Sequence, residues 1–176
     1  MCVLVIPSVA GNIFLDISLK EKIKLLGACG RCERLKISRL ETERRRFRTK
    51  TDKGTQVGLI LNTGTKLRHG DVLMAASKNV SSPDKFILVE QFPEKVISIK
   101  IKEKKSKRGL LELLILIGHT IGNRHKPIAI DSKSRKISFP IDNDSEIQIF
   151  QKLLEEISDR VELTTEYLVF EPRQMN

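Results

Sequence analysis

Two of the three histidines in this 176-residue chain lie in one short segment, residues 118–127. The segment reads Gly-His-Thr-Ile-Gly-Asn-Arg-His-Lys-Pro and follows a strongly apolar run over residues 110–117. Imidazole nitrogen is a common protein ligand for divalent transition metals. His119 and His125 are therefore the candidate metal ligands of this chain, and metal binding is the chemistry that they could support.

The change from apolar to polar residues in this segment predicts the end of a helix. Gly122 is expected to take the left-handed conformation there, with Arg124 or His125 facing the negative end of the helix. Taken alone, a single histidine at such a position is more often a capping residue than a ligand. Six residues of regular helix turn through about 600°, so His119 and His125 would not share a face.

A helix is predicted over residues 107–122, and its central residues 110–117 are apolar all around the axis, relieved only by Glu112. Such a helix must be covered on both sides. One side can pack on the sheet of its own domain, and we expect the other to meet a second copy of the chain. The alternative is that an N-terminal β domain covers it. Coverage by a second copy of the chain predicts a homodimer with a metal site shared between subunits.

Two different patterns divide the chain near Pro93. Residues 1–92 carry short strands punctuated by turns, which predicts a small all-β domain. Residues 93–176 read as strand, helix, strand, strand, helix, strand. That βαββαβ order predicts a ferredoxin-like α+β domain, with its helices over residues 107–122 and 145–158.

The chain is basic, with 32 Lys and Arg against 22 Asp and Glu, a net charge of +10. Such a balance favours nucleic acid, anionic membranes or acidic proteins as partners. The two densest basic runs, residues 44–48 and 102–108, contain one aromatic ring between them, so platforms for stacking bases are scarce. An RNA-binding or ribosome-associated protein remains the alternative function. We expect the strand at residues 44–48, basic on both faces, to dock an acidic partner without affecting metal affinity.

Cys29 and Cys32 form a CxxC motif, which is half of a zinc site, a redox pair, or two reduced thiols in a loop or strand. Three cysteines and no secretory signal indicate a cytoplasmic protein, and no apolar stretch reaches membrane-spanning length. No nucleophile has a neighbouring base and no glycine-rich phosphate loop is present, so the chain is not expected to be an enzyme. His69, beside a turn, is expected at the surface.

Several motifs together resemble one known family. The run from Ile121 to His125, followed by Pro127, resembles the metal-site motif of the UreE family of urease accessory proteins. Residues 44–73 are similar to that family's N-terminal domain, through the basic run, a Thr-Asp-Lys-Gly turn and a Gly-Asp-Val-Leu segment. Residues 170–172, Phe-Glu-Pro, resemble its C-terminal signature. These motifs occur in the family's order and cover nearly the whole chain.

The resemblance implies a homodimeric nickel chaperone that hands Ni²⁺ to the urease apoprotein through a GTPase-containing accessory complex. It implies a peptide- or partner-binding domain over residues 1–92 and a metal-binding and dimerisation domain over residues 93–176. His125 would bind nickel jointly with its copy, in competition with Zn²⁺ and Cu²⁺. Many relatives place a histidine where Thr120 stands, and many end in a histidine-rich tail that this chain lacks. The few ligands predict a carrier rather than a store.

Overall fold

The computed structural model describes residues 4–75, 85–102 and 107–172. The chain divides into two compact units, Met1–Phe92 and Pro93–Asn176. Within the described ranges, no helix has the length and apolar character needed to cross a bilayer. The turn expected at residues 81–84, Cys2, residues 103–106 of the second basic run and the C-terminal residues 173–176 lie outside those ranges.

Within the described part of the first unit, the strands form two sheets. Its strands are β1 (Leu4–Ile6), β2 (Val9–Asn12), β3 (Cys32–Ile37), β4 (Arg46–Lys50), β5 (Gln56–Ile60), β6 (Asp71–Ala75) and β7 (Lys85–Gln91). One sheet has the order β1-β5-β4 and the other has the order β2-β6-β7-β3. The β1–β5 and β3–β7 pairs are parallel, and the other pairs are antiparallel.

Both sheets contribute to one apolar core. Ile6 and Leu59 come from the first sheet, and Leu35, Leu73 and Ile87 from the second, and all five are buried. In β3, buried and exposed residues alternate, so that each sheet turns one face to the core and the other outward. Burial of this period-two apolar pattern is the main force that holds the two sheets together.

A helix in the first unit makes the all-β prediction too narrow. Helix α1 (Ile17–Ala28) begins after Asp16, whose side chain accepts a hydrogen bond from the Leu19 amide at 3.0 Å. Ile23 packs against Phe86 on the face of the second sheet that turns away from the main core. The aspartate cap and the spacing of apolar residues at 19, 23 and 26 were the local signals of this helix. The first unit is therefore mixed α/β.

The CxxC segment is the C-terminal cap of α1. The Arg31 amide donates to the Leu26 carbonyl at 2.8 Å and the Gly30 amide donates to the Gly27 carbonyl at 3.1 Å. These bonds form a Schellman motif, which requires a residue at left-handed φ, and Gly30 has φ of 72°. The motif explains why a glycine stands between Cys29 and Cys32.

A buried carboxylate ties β3 to its neighbours in the first unit. Thr51 Oγ1 donates to Glu33 Oε2 at 2.6 Å, and Lys85 Nζ lies 3.2 Å from Glu33 Oε1. Burial alone would raise the pKa of Glu33, but hydrogen bonds from Thr51, Thr55 and Lys85 outweigh it and lower the pKa below the ordinary 4.5. The ionised form is therefore the one that stabilises this unit.

Replacing Glu33 by glutamine is expected to destabilise the first unit by about 1–2 kcal/mol at neutral pH, because a charge-assisted network is lost. The folded pKa lies below the unfolded one, so the native contribution is complete above pH 4.5 and is lost as pH falls through the folded value. Urea unfolding at several pH values should show the difference from wild type shrinking as the pH falls from 4.5 through the lowered pKa of Glu33. Glu90→Gln, which removes a surface ion pair with Arg34, is the control and should change stability less. An equal difference at every pH would contradict this assignment.

The described residues of the second unit form one four-stranded sheet and two main helices. The elements of the second unit are β8 (Glu94–Ile101), α3 (Lys107–Gly122), β9 (Ala129–Asp131), β10 (Lys136–Pro140), α4 (Ser145–Leu153) and β11 (Val161–Leu168). The label α2 belongs to a four-residue helix of the first unit, Arg39–Thr42, between β3 and β4. The sheet order is β11-β8-β10-β9, and every pair is antiparallel. The helix predicted over residues 107–122 is found there.

Both helices of this unit contribute to its core. Phe150 of α4 contacts Phe139 of β10 with ring centroids 4.5 Å apart, and Leu113 and Ile117 of α3 join the same buried cluster. The helix predicted over residues 145–158 is divided, because α4 ends at Leu153 and a short 3-10 helix covers Glu155–Ile157. Its apolar side still faces the core, as the 3.6-residue periodicity predicted.

Candidate metal centre

His125 stands in a turn that directly follows α3. The Asn123, Arg124 and His125 amides donate to the His119, Ile121 and Gly122 carbonyls at 2.9, 3.1 and 2.9 Å. These bonds close the last turn of the helix and project His125 beyond its end. His125 therefore does not lie on the helix, and the regular-helix rotation between His119 and His125 does not describe their relation.

The left-handed position at this helix end belongs to His125, with φ of 52°, and the prediction that Gly122 would take it was wrong. Among the described residues, only His125 and Arg135 adopt positive φ without being glycine. A residue other than glycine loses roughly 1–2 kcal/mol of conformational energy in this left-handed conformation, although histidine tolerates it better than most residues. Glycine would fit this position with less strain, so the imidazole is retained at an energetic cost, as occurs at functional sites.

The His125 side chain is exposed, and no hydrogen bond engages its ring among the described residues. A neutral, exposed imidazole keeps one nitrogen lone pair available to a metal ion. The backbone of the turn fixes the origin of the side chain while its ring remains accessible. The His125 ring is therefore accessible to a metal ion, and only the backbone amide of His125 caps a carbonyl of its own helix.

His119 lies on the last turn of α3, exposed, and is already engaged locally. Asn123 Nδ2 lies 3.0 Å from His119 Nε2, so the amide donates to an imidazole that carries its proton on Nδ1. In that tautomer, metal binding requires His119 to give up the bond with Asn123. The structure thus places both candidate histidines at the same end of α3 but leaves only His125 unengaged.

Lys126 anchors the turn to the start of α4. Its Nζ lies 2.7 Å from Asp142 Oδ2 and 2.9 Å from Glu146 Oε2, and its side chain is 12% exposed. Burial alone would lower the pKa of Lys126, but hydrogen bonds to Asp142 and Glu146 outweigh it and raise the pKa above 10.5. Sequence reasoning missed this anchor, because its partners are 16 and 20 residues away and no local pattern marks them.

Replacing Lys126 by glutamine is expected to lower stability by about 2 kcal/mol, because it leaves the nearly buried Glu146 carboxylate without its cation. The His125 turn should also loosen, seen as faster amide exchange at residues 123–126. Lys95→Gln removes the exposed Lys95–Asp144 pair in the same unit and is the matched control, with a smaller effect. Unchanged exchange in the Lys126 variant would show that the ion pairs do not hold the turn.

Helix α3 presents two different sides. Leu113, Ile117 and Ile121 are buried in the core of the second unit, whereas Leu111 and Ile115 are 60% and 62% exposed. Leu111, Ile115 and His119 follow each other at intervals of four, so they form one row on the outer side of the helix. The structure therefore covers half of the apolar circumference and leaves the other half, beside the candidate site, exposed.

The described residues of one chain do not gather a complete metal site. No group of three or more His, Cys, Asp or Glu side chains stands together within residues 4–75, 85–102 and 107–172. Thr120 stands where many members of the resembled family have a histidine. Its hydroxyl donates to the Leu116 carbonyl at 2.8 Å within its own helix. One chain thus offers isolated imidazoles, which bind a divalent ion weakly unless further ligands are supplied.

The histidine and cysteines of the first unit have local roles. His69 is half-buried rather than on the surface, because its Nδ1 accepts a hydrogen bond from the Gln91 amide at 3.2 Å and its ring stacks on Phe14. Burial raises the pKa of the Cys32 thiol. Cys29 is the C-cap residue of α1 and is exposed. The raised pKa of Cys32 weighs against an activated redox pair.

Comparison with known proteins addresses the resemblance directly. Residues 27–80 match the family described as UreE urease accessory protein, N-terminal domain. The chain is also 29% identical, over 145 residues, to the urease accessory protein UreE of Natronomonas pharaonis. The chain is therefore similar to UreE urease accessory proteins. The alignment with the Natronomonas pharaonis UreE covers 81% of this chain and 61% of that relative, so the chain spans less than two thirds of its length.

The UreE match falls on a defined part of the fold. Residues 27–80 begin at the end of α1 and include the described strands β3, β4, β5 and β6, so both sheets of the first unit are represented. The alignment with the Natronomonas pharaonis UreE is long enough to extend into the second unit, since 145 residues exceed the length of the first. The similarity to UreE proteins therefore does not rest on the histidine motif alone.

Proposed function

We propose that this chain is a nickel-binding metallochaperone that delivers Ni²⁺ to the urease apoprotein during urease maturation. The observation that carries this proposal is His125, an exposed and unengaged imidazole held at left-handed φ within a UreE-type motif. Nickel is the cargo in this proposal and is not a resident cofactor. The chain would act as a carrier and not as an enzyme.

The number of ligands in one chain suits transfer better than storage. A single imidazole per subunit leaves most coordination positions of a divalent ion open to water or to an accepting protein. Two copies of His125, one from each subunit of a dimer, would hold the ion more tightly than either alone. His119 would become an additional ligand if it released Asn123. Zn²⁺ and Cu²⁺ would compete, because imidazole does not select nickel strongly.

The exposed side of α3 supports a homodimer. In a twofold interface the same surface of each copy meets itself, so residues near the axis lie opposite their own copies. Leu111 and Ile115 supply apolar area, and a Cβ built at Gly118 or Gly122 would meet nothing within 4 Å of its own chain. The two glycines would allow close approach of a second helix. Packing on this side would bring the two His125 turns toward the axis.

We also propose a separate role for each of the two units. We assign the second unit, residues 93–176, to metal binding and dimerisation, and we assign its βαββαβ order to the ferredoxin-like class. We assign the first unit, residues 1–92, to partner binding. The proposed partners are the urease apoprotein and a GTPase-containing accessory complex, reached in the cytoplasm.

Titration calorimetry with Ni²⁺, combined with the mass of the protein in solution from light scattering, tests this proposal. The expected result is a dimer that binds one Ni²⁺ per two chains. Competition titrations with Zn²⁺ and Cu²⁺ should show displacement at comparable concentrations. Uptake of one Ni²⁺ by each chain of a monomer would contradict the shared site, and no uptake at all would remove nickel carriage as the function.

A further inference from the structure

We propose that the outer edge of β4 binds an extended acidic segment of a partner protein as an added β-strand. The acidic side chains of that segment would occupy alternate positions and lie opposite Arg46, Arg48 and Lys50. This inference concerns the first unit and does not depend on nickel binding, so the two proposals can fail separately.

Strand β4 ends its sheet on one side. In the order β1-β5-β4 its only strand partner among the described residues is β5. The Leu61 amide donates to the Arg45 carbonyl at 2.9 Å, which identifies Arg45 and Leu61 as a hydrogen-bonded pair. Because hydrogen-bonded and non-hydrogen-bonded pairs alternate along an antiparallel ladder, residues 46, 48 and 50 direct their amide and carbonyl groups away from β5.

The same three residues carry the positive charge of the strand. Arg46, Arg48 and Lys50 are exposed, whereas Phe47 and Thr49 are half-buried, and Phe47 packs against the core. The expectation that this strand is basic on both faces was therefore wrong, because its charge lies on one face only. Each residue whose amide and carbonyl groups point away from β5 also carries a cationic side chain. A single added strand could therefore both hydrogen-bond to the backbone and pair with the cations.

The spacing of the cations fits an extended chain. Alternate residues of a strand lie roughly 6.6–6.8 Å apart on the same face. A strand added to this edge has the same period, and residues directly opposite each other have their Cβ atoms about 5 Å apart. Aspartate or glutamate at every second position would therefore reach successive cations without distorting either backbone.

A cavity extends this cationic surface beyond the start of β4. Its volume is about 660 Å³, and it is lined by Arg44, Arg45 and Arg46 together with residues 60–63. Arg45 Nη1 donates to the Thr63 hydroxyl at 2.9 Å, which orients the guanidinium along the wall. Among the described residues no carboxylate forms an ion pair with these three arginines. A further acidic group of the bound segment would fit there.

Two other occupants of this edge fit less well. A second copy of β4 would place like charges opposite one another, which is how natural sheets prevent pairing of their edges. Single-stranded nucleic acid would need exposed rings on which bases can stack, and the one ring of this strand, Phe47, faces inward. The amide and carbonyl groups at this edge can form a ladder of main-chain hydrogen bonds only with another polypeptide strand.

Binding of labelled synthetic peptides to the full chain, followed by fluorescence anisotropy at low salt, tests the proposal. The first peptide alternates glutamate with threonine or valine over about seven residues, the length that spans β4 and its flanks. The second has the same composition with its glutamates consecutive. The third is the alternating peptide with N-methyl groups on the amides that would pair with β4. We expect the alternating peptide to bind at least tenfold more tightly than either control peptide.

Charge-reversal variants locate the site. Arg48→Glu should weaken binding of the alternating peptide at least tenfold, whereas Lys36→Glu, an exposed cation of β3 in the other sheet, should leave it unchanged. Equal affinity for the three peptides would overturn strand addition and leave only charge attraction. Absence of binding would overturn the site. Tighter binding of an oligouridylate, lost in Arg48→Glu, would overturn the proposal in favour of a nucleic-acid surface.

Discussion

Replacing His125 by asparagine is expected to abolish the proposed Ni²⁺ uptake while leaving the fold and the proposed dimer intact. Asparagine tolerates left-handed φ about as well as histidine, so the turn after α3 keeps its conformation. The substitution therefore removes the imidazole without changing backbone strain, which replacement by alanine would not achieve. We expect the affinity to fall by roughly a hundredfold or more, because the proposed site has few other ligands.

The measurement is Ni²⁺ calorimetry on the purified variant, with its mass in solution and its thermal unfolding recorded in parallel. Arg135→Asn is the matched control, because Arg135 is the other described residue besides glycine with positive φ and lies in a different turn. It should bind Ni²⁺ like the wild type. Full nickel binding by the His125 variant would show that the ion is held elsewhere, and the proposed centre would then be wrong.

Replacing Ile115 by aspartate is expected to convert the proposed dimer into a monomer and, as a consequence, to remove nickel binding at the proposed shared site. Ile115 is 62% exposed in the single chain, so the substitution costs little there. In the proposed interface each copy would bury an unpaired carboxylate, which is strongly unfavourable. Light scattering at micromolar concentration should show the mass of one chain.

Leu153→Asp provides the matched control for this experiment. Leu153 is an exposed apolar residue near the end of α4, and the same change there should leave the mass of a dimer. The two main variants have opposite expected profiles, since His125→Asn keeps the dimer and Ile115→Asp does not. A wild-type protein that is monomeric, or an Ile115 variant that remains dimeric, would exclude the outer side of α3 as the interface.

The CxxC motif shows why a short pattern needs its structural context. Redox-active CxxC motifs depend on a lowered thiol pKa, which a helix N-terminus or nearby cations supply. Here the motif closes the C-terminal end of α1, and burial raises the pKa of Cys32. The glycine at residue 30 serves the backbone of that cap. The spacing of the two cysteines is thus explained by helix termination.

The local pattern of the second unit was sufficient to predict most of its elements. Alternation along β8 and the apolar periodicity of α4 are properties of neighbouring residues, so they can be read without knowing any long-range contact. Helix α1 was missed because its apolar stripe is short and interrupted by lysines, although Asp16 and Gly30 marked its two ends. The many turn residues between short strands led to the prediction of an all-β unit.

The sequence by itself determined the candidate ligands, the positive charge, the helix that leads to His125 and the family motifs, because these depend on residue identity and local spacing. Only the tertiary structure decided that His125 and not Gly122 takes the left-handed position, that Lys126 anchors the turn through Asp142 and Glu146, and that the cations of β4 share one face with its open edge. Each of these depends on contacts between residues distant in the chain or on the register between strands. Such contacts arise when the core is packed and leave no periodic signal in the sequence.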